Sequence, residues 1–382
     1  MGGRAISLTH LALFLWVVYL ALSPLYIFPS GQPQPVDWLG VIWVALVIVG
    51  LGVRFTRPVA RIVGVLVLAV AWSAVVAVGW YLLSFEAEVL RAPLFYAYNV
   101  AIVIALLSIA ARDRVAVLRA TEGGLFLALT VIMVGLIVTD SDSYRNTSFF
   151  NNPNQLGYFG LLAGAMVGLI ADQLGWSLVR MGLFGIAMVA ALFSFSLAAL
   201  GGVVVTVAWA LRGVWSRWRR MSWVVMIFVL VATSAALWGE ALYGTSLLEG
   251  WERRAVVADS KLEAALSERG YYRLFEYPQF LLTGAAEGAL HRIGPTMRHE
   301  MHSTPGTIVF SYGVPGAVLS GIIILLLWRL GSAQLLAVFV GPIVYGLSHQ
   351  GLRFTPLWLV AALYLVVVTS RESPSGRDHR LL

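Results

Sequence analysis

Apolar runs of membrane-spanning length alternate with short polar connections along most of this chain. A helix needs about 20 apolar residues to cross a bilayer, with a range of roughly 17–25. The pattern therefore predicts an all-α fold: a polytopic membrane helix bundle of about 12 transmembrane helices, in one integral membrane domain over residues 1–382. The predicted spans are 8–28, 38–53, 62–84, 93–111, 123–139, 155–171, 179–195, 197–211, 223–243, 306–328, 332–347 and 355–370. The seventh and eighth lie so close together that one kinked segment is the alternative.

One long polar segment, Glu240–Pro305, interrupts this pattern between the ninth and tenth predicted spans. It contains seven of the chain's 26 Lys and Arg residues and three of its six His residues. Within it, Tyr271–Tyr277 is typical of an aromatic segment at the lipid–water interface, which would hold Arg273 near the bilayer surface. We therefore predict a large loop over residues 240–305 and look for chemistry there.

The arginines of the short loops predict which way the bundle faces. With the N-terminus inside, 16 basic residues fall on the cytoplasmic side. The short loops of the other side contain three, Arg91, Arg145 and Arg353. Basic residues in short loops concentrate on the cytoplasmic side of a membrane. The 240–305 loop is therefore expected to be extracytoplasmic.

Composition sets the class of protein and removes several functions. The chain is 59% hydrophobic and only 12% charged, whereas soluble domains contain about 25% charged residues. A lipid bilayer is the expected partner. The net charge of +7 comes from scattered arginines, so no nucleic-acid partner is expected. The chain has no cysteine. The acidic pairs Asp140/Asp142 and Glu86/Glu88 are interpreted as solvated carboxylates, and neither a metal nor another cofactor is expected.

Three short motifs, two of them polar, flank or interrupt predicted spans. Phe150-Asn151-Asn152-Pro153-Asn154 opens the sixth span and follows Arg145; Asn and Pro are also common at ordinary helix starts. His302-Ser303-Thr304-Pro305 precedes the tenth span, and Gly313-Val314-Pro315-Gly316 lies within it.

Taken together, these motifs and the large loop between them resemble the O-antigen ligase and O-antigen polymerase superfamily, which are polytopic membrane glycosyltransferases. The resemblance runs from about residue 125 to residue 325. It implies transfer of a glycan from a polyprenyl-diphosphate carrier to a glycan or glycolipid acceptor, by a ligase or a polymerase. It also implies a bacterial inner (plasma) membrane protein whose active site faces the extracytoplasmic side.

The resemblance implies catalytic roles for His302 and Arg273, which would meet if the loop folds back over the bundle. Arginine can stabilise the charge of a departing diphosphate, and a neutral imidazole can accept the proton of a sugar hydroxyl. The family often has Ser-Arg-Gly near the junction of spans seven and eight, but Ser194–Ala198 contains no arginine. Arg145 is the candidate for that missing charge. The expected substrate-binding residues are Asn151, Asn154, Arg269 and Tyr272.

Two other functions stay open. The first is that of a transporter or flippase of lipid-linked glycans. The second is that of a catalytically inactive relative with a scaffolding role. Ion-coupled transporters place ionisable residues inside their spans, and the predicted spans contain almost none, which argues against proton coupling. The missing arginine keeps the inactive relative open as an alternative.

Overall fold

The structure, a computed structural model, describes residues 7–29, 31–139, 146–212, 249, 251, 252, 256, 269–294 and 300–371. In these ranges the chain is helical and contains no strand. Five of the described helices are long and apolar enough to cross a membrane, which indicates a helical membrane protein.

Eleven apolar helices form the described bundle, and we number them in chain order. The first five are α1 (Leu8–Leu22), α2 (Pro35–Leu51), α3 (Arg57–Ser84), α4 (Arg91–Ala110) and α5 (Arg114–Val138). The next three are α6 (Pro153–Leu174), α7 (Leu178–Phe193) and α8 (Leu197–Leu211). The last three are α9 (Thr304–Leu330), α10 (Ala333–Gly346) and α11 (Thr355–Arg371). Short helical turns also form at Ala87–Leu90, Arg273–Glu276, Phe280–Thr283 and Leu290–Arg292.

These helices coincide with eleven of the predicted spans. The seventh and eighth predicted spans are separate helices, because the chain turns at Ser194–Ser196 between α7 and α8. The ninth predicted span, 223–243, lies outside the described residues, as does most of the segment 240–268. The count of twelve spans and the extent of the large loop therefore stay predictions.

Helix α6 lies at the centre of the bundle, and small residues explain its close packing against α7. Gly160, Gly164 and Gly168 recur every four residues along one face of α6. A Cβ atom at Gly160 would lie 2.6 Å from the Ala187 carbonyl oxygen, and one at Gly164 would lie 2.1 Å from the Met188 Cε. Small residues at this spacing let helix backbones approach closely in a membrane, where packing rather than hydrophobicity favours helix association.

The loops at one end of the bundle contact each other, and we call this the loop end. It contains residues 23–29, 31–34, 146–152, 269–294, 300–303 and 347–354. The Tyr26 N–H donates to the Phe149 carbonyl, and the Thr304 N–H donates to the His349 carbonyl, both at 3.1 Å. At the opposite end, Arg180 forms an ion pair with Glu122 at 2.9 Å.

Helix α9 is broken in its middle, within the Gly-Val-Pro-Gly motif. Gly313 has φ 63° and ψ −162°, outside the helical region. Pro315 has no N–H with which to bond the Ser311 carbonyl four residues earlier. The turn before the break therefore presents the carbonyl groups of Phe310 and Ser311 to another part of the chain.

The loop 284–289 fills this break. The N–H groups of Ala285 and Ala286 donate to those two carbonyls, at 2.9 and 3.0 Å. The Trp80 indole of α3 donates to a loop carbonyl at 3.0 Å. Arg292 donates to three more, and its guanidinium lies 4.9 Å from the centre of the Trp80 ring. Burial lowers the pKa of Arg292 to about 10, so it stays protonated near neutral pH. Non-helical backbone of this kind is tolerated in a membrane protein where it is buried in protein.

Candidate functional site

The loop 284–289 brings a carboxylate, Glu287, into the bundle. Its side chain is 3% exposed and accepts hydrogen bonds from four groups. Tyr96 of α4 and Tyr312 of α9 donate their hydroxyl protons to Oε1. Gln350 and Arg353 donate to Oε2, at 2.9 and 2.7 Å. A buried carboxylate is stable only when such donors replace its hydration, so this loop, two helices and the connection before α11 form one polar unit.

Arg353 links this buried carboxylate to the surface. Its Nη2 donates to Glu287 and also to Glu300, at 2.7 and 2.8 Å. Glu300 is 37% exposed, whereas Glu287 is almost fully covered. Burial acts to lower the pKa of Arg353, but the two carboxylates outweigh it and hold that pKa well above its ordinary value. Arg353 is therefore a fixed cation with a carboxylate on each side.

A polar cavity of about 360 Å³ opens at the loop end beside this ion pair. Its walls come from the end of α1, the start of α2, the start of α6 and the residues before α9 and α11. The lining residues that matter for chemistry are Asp37, Asn154, Glu300, His302, His349 and Arg353. The cavity thus contains one histidine, His302, and two asparagines, Asn152 and Asn154, from the motifs that the sequence singled out, together with residues that it did not.

His302 is exposed at this cavity and is tied to the segment that contains Arg273. Its backbone N–H donates to the Arg269 carbonyl at 3.2 Å. Its neighbour Ser303 caps α9 by accepting from the Gly306 N–H at 3.1 Å, and shares a 2.5 Å hydrogen bond with the Tyr271 hydroxyl. The 269–273 segment therefore lies against the start of α9, as expected if the loop folds back over the bundle.

Arg273 is buried, with only 5% of its surface exposed. Its Nε donates to the neighbouring Tyr272 hydroxyl at a long 3.5 Å, and its guanidinium lies 5.7 Å from the centre of that ring. Its Nη1 is buried with no hydrogen-bond partner among the described residues. A buried donor without an acceptor is costly, so this position favours an anionic ligand. Arg273 does not itself line the cavity.

Two asparagines of the motif, Asn152 and Asn154, line the cavity, and Asn152 also has a structural role. Asn152 caps α6, with Oδ1 accepting from the Gln155 N–H at 2.9 Å, as the ordinary helix-start interpretation predicts. Asn154 lines the cavity, and its carbonyl accepts from the Tyr345 hydroxyl at 2.8 Å. Asn151 is exposed, does not line the cavity, and donates from Nδ2 to the Phe28 carbonyl at 3.0 Å.

The remaining predicted site residues are placed less directly. Arg145 and the Asp140/Asp142 pair lie outside the described residues. Arg269 contacts the His302 segment through its backbone carbonyl. Tyr272 accepts the weak hydrogen bond of Arg273. In the described ranges, no three His, Asp or Glu side chains come together as a metal site.

The turn between α7 and α8, where the family's arginine is missing, is built from local contacts. The Ser194 hydroxyl donates to the Ala191 carbonyl at 2.7 Å. Ser196 caps α8 by accepting from the Ala199 N–H at 3.5 Å. Phe195 between them has a left-handed backbone, with φ 47°. The two serines stabilise this turn, and residues 194–196 contain no charged side chain.

Sequence reasoning missed the connection before α11. Residues 348–353 read Ser-His-Gln-Gly-Leu-Arg, a polar stretch between two apolar runs, and Arg353 was counted only for topology. His349, Gln350 and Arg353 all line the cavity. Polar residues concentrated in so short a connection were the available signal.

Comparison with known proteins adds no assignment. No protein-family model matches this sequence, and no curated protein matches it either.

Proposed function

We propose that this chain is a membrane glycosyltransferase that moves a glycan from a polyprenyl-diphosphate carrier to a glycan or glycolipid acceptor. The observation that carries the proposal is the contact between two segments. The His302 N–H donates to the Arg269 carbonyl, so the segment that contains the buried Arg273 is joined to the segment whose imidazole lines the cavity, which supports treating them as one site. A base and a guanidinium in one site would suit the displacement of an anionic leaving group.

In the proposed step, His302 accepts the proton of an acceptor hydroxyl as that oxygen bonds to the anomeric carbon of the donor glycan. The bond between this carbon and the diphosphate oxygen breaks, and the polyprenyl diphosphate leaves with both bonding electrons. Arg273 donates hydrogen bonds to the negative charge that develops there. The imidazolium then returns its proton to water.

The proposed orientation places the loop end on the extracytoplasmic face of a bacterial inner (plasma) membrane. The bias of 16 basic residues against three in the short loops supports it. That count assumes that successive loops lie on alternate sides of the membrane. In agreement with this, α3 and α5 start with Arg57 and Arg114 at the end opposite to the cavity.

The decisive experiment is transfer of a glycan from a polyprenyl-diphosphate donor by purified protein. A general base is worth about 10²–10⁴ in rate, so His302→Ala should lose detectable transfer while protein level and membrane insertion stay normal. His291→Ala is the matched control, because His291 lies in the same segment but pairs with Glu86 at 3.1 Å on the exposed surface. Full activity in His302→Ala would refute the catalytic assignment. A chelator in the assay tests metal independence.

A second experiment addresses the missing arginine. If Arg145 supplies a contact to the diphosphate, Arg145→Ala should lose roughly 100- to 1000-fold in rate, the scale for one preorganised donor. Arg91→Ala, at the start of α4 on the same end of the bundle, is the control. Equal and mild effects of the two changes would show that Arg145 is an ordinary surface charge.

A transporter of lipid-linked glycans is the second candidate, and one observation favours it. Glu287 is an ionisable residue covered between α4 and α9, and such residues in a membrane bundle are often functional. Vesicles containing the protein should then move a glycan-lipid across the bilayer. Movement that persists in His302→Ala and is lost in Glu287→Gln would favour the transporter over the transferase.

A further inference from the structure

The charges around the cavity do not suit a diphosphate. Among the described lining residues, Asp37 and Glu300 are carboxylates, and Arg353 is the one guanidinium. Arg353 is already shared by Glu300 and the buried Glu287. The group of Asp37, Glu287, Glu300 and Arg353 therefore has an excess of negative charge, which would repel an anion.

The uncharged part of the lining has the chemistry of a saccharide site. Asn154 and Gln155 line the cavity with side-chain amides, which have both donors and an acceptor; the Gln155 Oε1 also accepts from the Asn151 N–H at 3.1 Å. Tyr158, Tyr345 and His349 also line the cavity and form a stack, with ring centres 4.2 and 4.6 Å apart, that makes this wall rigid. Carboxylates accept hydrogen bonds from hydroxyl or ammonium groups.

The position that favours an anion lies elsewhere. Arg273, whose buried Nη1 has no hydrogen-bond partner in the described part of the chain, is outside the cavity lining but on the segment that contacts His302. His302 is thus exposed to the cavity and joined through its backbone to the segment containing the buried cation. The acid-lined cavity therefore suits a neutral or cationic group, and the buried arginine suits an anionic group.

We propose that the cavity binds a neutral or amino saccharide, the part of the acceptor that carries the attacking hydroxyl, while the donor diphosphate binds on the Arg273 side of His302. This inference rests on the proposed transferase function. The acceptor oxygen bonds to the anomeric carbon, its proton goes to His302, and the bond from that carbon to the diphosphate breaks with the electron pair leaving on the polyprenyl diphosphate. Uronic acids and other anionic sugars are excluded from the cavity by Asp37 and Glu300.

Two binding measurements test this assignment without requiring turnover. The protein is reconstituted in lipid nanodiscs, because common detergents contain sugars. Inorganic pyrophosphate is titrated calorimetrically, and a glycan array with neutral, amino and uronic-acid saccharides is probed with the same sample. Asp37→Asn and Glu300→Gln remove the cavity charges with little change of shape, and Arg273→Gln removes the other charge. Thermal unfolding confirms that each variant is folded.

The expected results separate the two halves of the site. Arg273→Gln should weaken pyrophosphate binding by about 10-fold or more, the loss of a hydrogen bond to a charged group, and leave the array profile intact. Asp37→Asn and Glu300→Gln should weaken binding to neutral and amino saccharides and leave pyrophosphate binding unchanged.

Three outcomes would overturn the proposal. The first is tighter pyrophosphate binding in Asp37→Asn, which would place the diphosphate in the cavity. The second is binding of acidic saccharides alone. The third is no saccharide binding by the parent protein. Saccharide and pyrophosphate binding as expected, without any transfer, would instead contradict the proposed function and leave the assignment of the cavity intact.

Discussion

Replacing Glu287 by alanine would remove the acceptor on which four donors converge. The side chain is 3% exposed, so water does not replace it freely. Arg353 would keep Glu300, its second and more exposed partner. The two tyrosine hydroxyls and the Gln350 amide would lose an acceptor at the same time.

The cost of this change follows from burial rather than from the number of contacts. Removing one partner of a buried ion pair typically destabilises a protein by about 3–5 kcal/mol. For a chain of this size, roughly 2 °C in melting temperature per kcal/mol is a reasonable conversion, so Glu287→Ala should lower the midpoint by about 6–10 °C. Glu300→Ala breaks the other bond of the same arginine, but at an exposed site where an ion pair is worth about 0–1 kcal/mol.

Tryptophan fluorescence during heating of the purified protein measures both variants, since the chain contains 14 tryptophans. Glu300→Ala is the matched control and should shift the midpoint by no more than about 2 °C. The double variant Glu287→Ala/Arg353→Ala should be destabilised by less than the sum of the two single changes, because both single changes break the same Glu287–Arg353 ion pair. Equal shifts for Glu287→Ala and Glu300→Ala would refute the reasoning, since burial would then make no difference.

Two further outcomes are expected. Gly313→Ala should destabilise the protein by about 1–3 kcal/mol, because φ is 63° and a Cβ would lie 2.7 Å from the Leu282 carbonyl oxygen. Gly321→Ala is the control in the same helix; it has open space around it and should be neutral or stabilising. Melting temperatures of the two variants measure the difference. A topology reporter fused after Arg329 should be cytoplasmic and one fused near Ala265 extracytoplasmic; the reverse result would discard the proposed orientation and the site with it.

Much of the bundle could be predicted because hydropathy and helix-start residues act locally. The sixth span was placed at 155–171, and α6 runs from Pro153 to Leu174, with the Asn152 cap and Pro153 explaining its start. The same local reasoning failed to predict which asparagines line the cavity. Asn151, Asn152 and Asn154 share a motif, and Asn152 and Asn154 line the cavity whereas Asn151 does not.

The site was predicted only in part, because half of it depends on one break in one helix. The resemblance implied that the loop brings the Arg273 segment to His302, and the backbone contact between Arg269 and His302 agrees with this. The contact between Glu287 and Arg353 joins residues far apart in the chain, and it exists because Gly313 and Pro315 open α9 to the loop. Neither the alternation of apolar residues nor local propensity specifies such a contact. The predicted spans contain almost no ionisable residue. The folded bundle nevertheless contains one between α4 and α9, because the loop brings in Glu287.

The way the loop 284–289 enters the broken helix has a consequence for anyone who wishes to treat the polar segment as a detachable module. Its position in the sequence, between two apolar runs, invites excision, replacement by a linker, or expression as a separate soluble fragment. Cutting it out would leave the Trp80 indole without its acceptor, and the Phe310 and Ser311 carbonyls without the loop donors that they now have. The fragment would in turn expose Ala285, which is fully buried in the intact protein. In this protein the boundary between membrane core and surface loop therefore follows hydrogen bonds rather than hydropathy.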